Sequence, residues 1–244
     1  MNFLLHRHLA ARELGSTTAG AAAMLPDLWR MVDRRVRAQP LATLDGAHPH
    51  NDVEAGIEHH LQADHWFHGS EVFLRGEERT RQALRTAHLA APKVLLWAHI
   101  TWELCLDSAL LRHAGPGRGA ALQPALAADL AEIAGAPTMA AADRHHFSRI
   151  VRPAEEREIF RTRLVELMTQ LGAGAFFAHY EDAPGLTRVV DRMRQRLGLA
   201  PLGEDDRARL SGALVQLLGE AEDAYTALLL ERTDFLQGEA SRRG

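Results

Sequence analysis

His60, Asp64 and His68 follow one another at intervals of four residues, and so do His99, Glu103 and Asp107. On a helix that spacing stacks side chains along one side. Imidazoles and carboxylates so stacked are the ligands of a divalent cation. A turn of about 100° per residue places Ile57, Leu61 and Phe67 beside the first set, and Leu96, Ile100, Leu106 and Leu110 beside the second. The polar groups are therefore set among core residues. The second stretch is apolar all round, with Trp97, Trp102, Leu104, Cys105 and Leu111 on its other sides, which is the pattern of a buried helix. A carboxylate buried there needs a partner, because an unpaired buried charge is very costly. Basic residues are scarce, since Lys93 and Arg112 lie at the two ends. A cation shared between the two stripes is the economical partner, and ligands at i and i+4 on facing helices are how bundles build metal centres. A set without Cys points to Mn²⁺, Fe²⁺ or Mg²⁺ in preference to a structural zinc. Such an ion activates water and polarises a phosphoryl oxygen. The competing expectation is a satisfied polar network that fixes helix register.

These stripes need helices to carry them. No stretch alternates with a period of two, so the fold class expected is all-α. Helical periodicity predicts helices over 2–14, 20–37, 52–75, 78–89, 92–113, 121–134, 139–150, 154–182, 184–197 and 204–234. Pro92, Pro153, Pro184 and Pro201 fall where helices should begin or break. Two loops stand out, at Ala38–Asn51 and at Ala114–Gly119. The helices before the second loop are too apolar to stand uncovered, so residues 1–244 are expected to form a single helical bundle domain. Leu210, Leu214, Leu217, Ala221, Ala224 and Leu228 form a seam at four-three spacing. Packing within the bundle is the first expectation for that seam, and a homodimer interface the sharper alternative. His48, His50, His145 and His146 show no apolar face and are expected on the surface or in loops. Cys105, on a buried helix with no basic activator beside it, reads as a small core residue.

Composition narrows the function classes. The chain of 244 residues carries a formal net charge of −4, and Lys93 is its only lysine, so no general nucleic-acid footprint is expected. Arginine supplies the positive charge and suits anion binding. A single cysteine excludes an intramolecular disulfide and fits a reducing cytoplasm. The N-terminus has no clean apolar h-region, and the most apolar run carries His99, Glu103 and Asp107. Neither a signal peptide nor a membrane span is expected.

Several short motifs together resemble the bacterial acyl carrier protein phosphodiesterase family. They are Met1-Asn2-Phe3-Leu4 with His6, His8, Leu9 and Ala10; Gly20 through Leu25-Pro26-Asp27-Leu28; Gly56-Ile57 with His60 and Asp64; Glu103, Asp107 and His113; and Tyr180, Gly185-Leu186 and Met193. The resemblance implies an HD-domain-like helical fold and Mn²⁺-assisted hydrolysis of the phosphodiester that joins 4′-phosphopantetheine to acyl carrier protein. It implies His60, Asp64 and Asp107 as metal ligands, Asp27 as a carboxylate essential to the chemistry, and His6 and His8 close by. Asp107 is followed by Ser108 where the family carries His, and Phe67-His68 stands for its Thr-Asp. His68 and His99 are the replacements on offer.

The expectation that follows is a metal-dependent phosphohydrolase. His60, Asp64, His99, Glu103, Asp107, His68 and His8 are its metal candidates, and Asp27 and Asp64 its catalytic carboxylates. Acyl carrier protein or a small phosphoester is the expected partner, and Arg30, Arg34, Arg35 and Arg37 offer an anion-binding patch. The alternative is a non-catalytic helical protein that retains the fold and serves protein interaction. A di-iron redox centre ranks below both, because Glu132, Glu155 and Glu158 lack the Glu-x-x-His pairing it needs.

Overall fold

A computed structural model describes residues 3–42, 48–89, 94–147, 153–174, 176–196 and 198–243. Met1, Asn2, Pro92, Lys93 and residues 43–47 of the Ala38–Asn51 loop lie outside them. The chain is all-α, with no strand among the described residues. Its helices are α1 (Phe3–Leu14), α2 (Thr17–Ala22), α3 (Leu25–Val32), α4 (Asp52–Gly69), α5 (Glu71–Thr86) and α6 (Val94–His113), then α7 (Arg118–Ile133), α8 (Ala136–His145) and α9 (Ala154–Ala173). A 3₁₀ turn, Phe176–Tyr180, precedes α10 (Ala183–Arg196) and α11 (Glu204–Arg243). No helix among the described residues is long and apolar enough to cross a membrane.

The helices form two compact units. One comprises Phe3–His65 and Ala120–Phe176, and the other Trp66–Gly119 and Phe177–Gly244.

In the first unit, α1 buries Phe3, His6, Leu9 and Ala10 on one stripe, the i, i+3, i+4 pattern of an amphipathic helix. The helix expected over 20–37 is two helices. Ser16 caps α2 by accepting the Ala19 amide at 3.1 Å, and Pro26 opens α3. Proline lacks the N–H an interior position would use, so it favours a helix start there. Glycine sets the closest approaches. A Cβ on Gly20 would lie 2.8 Å from the Ala11 Cβ, and one on Gly56 only 2.2 Å from the Ala19 carbonyl oxygen. Backbones of α1, α2 and α4 can come this near only because those positions carry no side chain.

His145 and His146 correct the sequence reading, because both are buried. The end of α8 lies against residues 37–39. The Nδ1 of His145 is 3.0 Å from the Gln39 carbonyl and that of His146 2.9 Å from the Arg37 carbonyl. Their polar atoms serve an irregular backbone segment, a need that helical periodicity does not reveal. Beside them, Glu54 of α4 is buried and bonded to Arg144, and accepts the His50 amide at 2.7 Å.

In the second unit, α11 packs against α5, α6 and α10. Leu210, Leu214, Leu217, Ala221 and Leu228 of the seam are buried there, so bundle packing accounts for them. The helix expected over 52–75 stops at Gly69 because the Ser70 hydroxyl accepts the Phe73 amide at 3.1 Å and starts α5. Gly76 of α5 takes the Trp102 indole of α6, where a Cβ would stand 1.9 Å from the ring. The first turn of α6 departs from the all-round burial expected, since Leu95 and Leu96 are 62% and 39% exposed.

Cys105 is fully buried, and burial, reinforced by the charge of Glu220, pushes its thiol up to about 12. The thiolate is the reactive form. A disulfide reagent at about pH 8 should therefore leave the native chain unmodified and label it once in denaturant. Rapid native labelling would contradict the packing of α6.

Candidate metal centre

Among the described residues, two groups of side chains bring metal-ligating atoms within 4.8 Å of one another, and each belongs to one compact unit. The first is His6, His60 and Asp64. Gly56, His60 and Asp64 recur every four residues along α4, so the close approach that Gly56 permits against α2 aims the same stripe inward. His6 arrives from the apolar stripe of α1. Its ring centroid is 4.0 Å from that of His60, and its Nε2 is 3.7 Å from the Asp64 carboxylate.

His60 is held from behind. Its Nδ1 lies 2.7 Å from the Ala23 carbonyl, at the junction of α2 and α3. A carbonyl only accepts, so Nδ1 carries the proton and Nε2 keeps its lone pair. Metal-ligating histidines are held in this way by their second nitrogen. Burial, helped by the charge of His6, lowers His60 to about 4 against the attraction of Asp27 and Asp64. The imidazole is then neutral at pH 7, as a ligand must be. Asp27, half-buried in the first turn of α3, is near enough for its charge to act on His60. The Asp64 side chain is 43% exposed and gives this group its opening to solvent.

The second group is His68, His99 and Glu103. His68 lies in the last turn of α4, just before the Ser70 break, and His99 and Glu103 lie one turn apart on α6. The His99 Nε2 is 3.3 Å and the His68 Nε2 3.8 Å from the same Glu103 oxygen. Burial raises the Glu103 carboxyl, but nearby positive charge and the His99 hydrogen bond bring it down to about 2.

The remaining candidates fall outside both groups. His8 follows His6 by two residues, about 200° around the helix. It is half-buried, and burial together with Arg12 and Arg7 lowers its pKa. Asp107 is fully buried on α6. Its charge, after burial, helps raise the Tyr180 phenol well above its ordinary value. Ser108 beside it is also buried. His6 is the one member of these two groups that lies outside the four-residue stripes of α4 and α6. Its signal was the apolar company of Phe3, Leu9 and Ala10 at i−3, i+3 and i+4, whereas His8 has Arg12 at i+4.

Of the arginine patch, Arg34 and Arg35 line a groove of about 410 Å³ with Arg163, Glu156 and Phe160. The Arg35 guanidinium is already bonded to Asp33 at 2.8 Å. Arg30 and Arg37 are exposed and do not line this groove.

No protein-family model, curated protein or solved structure matches the chain. The resemblance to the acyl carrier protein phosphodiesterases rests on its quoted residues alone.

Proposed function

We propose that this chain is a metal-dependent phosphodiester hydrolase of HD-like type, with its ion held by His6, His60 and Asp64. The observation that carries this reading is His60, fixed through Nδ1 on the Ala23 carbonyl beside His6 and the half-open Asp64. Two imidazoles and one carboxylate suit Mn²⁺ or Fe²⁺ better than the all-oxygen preference of Mg²⁺. Three protein ligands leave positions for water and substrate. Bound there, the ion would supply Lewis acidity toward a phosphoryl oxygen and acidity to a water. Asp27 is the base: its carboxylate takes the proton of the water that attacks phosphorus, as the ester P–O bond breaks. Acyl carrier protein or a smaller phosphoester in the cytoplasm is the substrate class, and the arginine-lined groove offers charge for an acidic partner.

The test uses untagged chain, metal analysis and bis(p-nitrophenyl) phosphate with Mn²⁺ or Fe²⁺. His60→Ala and Asp64→Ala should lose both metal and hydrolysis. Asp27→Asn should keep its metal while kcat falls by about 100-fold or more. Hydrolysis that survives Asp64→Ala, or a wild-type chain that never takes up metal through His60, would refute the reading.

A further inference from the structure

We infer that His68, His99 and Glu103 form a second divalent-cation site that ties the last turn of α4 to α6. It shares no residue with the catalytic reading and does not depend on it. Three observations point to a ligand set in addition to an ion pair.

The first is convergence. Both Nε2 atoms face one oxygen of Glu103, at 3.3 and 3.8 Å, from two different helices. The second lies behind His99. Its Nδ1 is 3.6 Å from a carboxylate oxygen of Glu77 on α5. A carboxylate placed behind an imidazole is the arrangement that orients histidines on metals. The third is rigidity. The two imidazoles stack with centroids 4.7 Å apart. Phe73 meets the His68 and His99 rings edge-on at 4.8 and 5.3 Å, and Phe67 meets His68 at 5.2 Å. Phe73 is itself placed by the Ser70 cap. Rings held in this way lose little freedom on binding.

The exposure pattern fits an ion's entry and retention. Glu103 is 4% exposed, whereas the His68 and His99 side chains are 29% and 31% exposed. The carboxylate sits deep and the imidazoles form a rim open to water. Two imidazoles and a carboxylate select a first-row cation such as Zn²⁺, Fe²⁺ or Co²⁺ over Mg²⁺ or Ca²⁺. Because His68 ends α4 and the other ligands belong to α6, the ion acts as a clamp, and its binding adds to stability by mass action.

Co²⁺ titration of the full chain, read by visible absorption and by metal stoichiometry, is the test. Wild type should bind two equivalents, and His60→Ala and His99→Ala one each. Zn²⁺ should raise the melting temperature of wild type and of His60→Ala, but not of His99→Ala. Glu77→Gln, which keeps all three ligands, should weaken the second equivalent by about 10- to 100-fold, so a misfolded ligand variant leaves the question answerable. A single equivalent abolished by His60→Ala and untouched by His99→Ala overturns this site and leaves the hydrolase reading intact. A single equivalent lost only in His99→Ala supports this site and overturns the other. No Co²⁺ or Zn²⁺ uptake at all overturns both.

Discussion

Replacing Gly56 by alanine should lower the melting temperature by about 10 °C and weaken uptake of the ion proposed for the His6, His60 and Asp64 group. The added Cβ would stand 2.2 Å from the Ala19 carbonyl oxygen and 2.8 Å from the Ala22 Cβ, where ordinary contact begins at 3.4 Å. The atoms it meets are helix backbone and a Cβ, which cannot swing aside. The two helices must therefore part by about 1 Å, and overpacking of this kind costs roughly 3 kcal/mol. For a chain of this size that is about 6–12 °C. The same displacement acts on the site, because the His60–Ala23 bond of 2.7 Å spans the same pair of backbones. Differential scanning calorimetry and metal analysis read the two effects. A Gly56→Ala chain that melts with wild type would mean that α2 and α4 are not in contact at this point.

Arg144→Ala is expected to cost about 2 kcal/mol at pH 7, and less as the solution is acidified. Burial raises the Glu54 carboxyl, but the Arg144 hydrogen bond and charge, with the His50 amide, outweigh it and hold Glu54 below its ordinary 4.5. A depressed carboxyl contributes stability above its unfolded pKa and loses it as pH falls through the folded one. Without Arg144, burial is opposed chiefly by the His50 amide and the Glu54 pKa rises. The variant then loses stability as pH rises through that new value. The gap between wild type and variant is widest near neutrality, where a buried carboxylate has lost its counter-charge, and narrows below about pH 4. Urea denaturation at pH 4 and pH 7 measures it. An equal gap at both would assign the Arg144 contribution to packing of its stem.

The helices were legible in the sequence because helical periodicity is strong in this chain. The four-residue spacing of His60 and Asp64, and of His99 and Glu103, matches their grouping in the structure, where each pair joins one cluster of potential metal-ligating atoms. What periodicity does not carry is which stripe meets which. His60 and His68 share a stripe of α4, yet each meets a different set of partners. The Ser70 cap ends α4 just after His68, and a capping serine in mid-pattern is a weak signal beside the apolar run around it. The burial of His145 and His146 escapes the pattern for a related reason. Their partners are carbonyls of an irregular segment, and such pairing leaves no trace in a hydrophobic pattern.

The two compact units are each assembled from separate stretches of chain. While the protein is being made, the portion that begins at Phe3 must wait on the ribosome through all of Trp66–Gly119 before the residues that complete it emerge. Pairings of such long range slow folding and expose unfinished apolar faces to the surroundings. A gene cut at any single point between α5 and α9 encodes a fragment in which neither unit is whole.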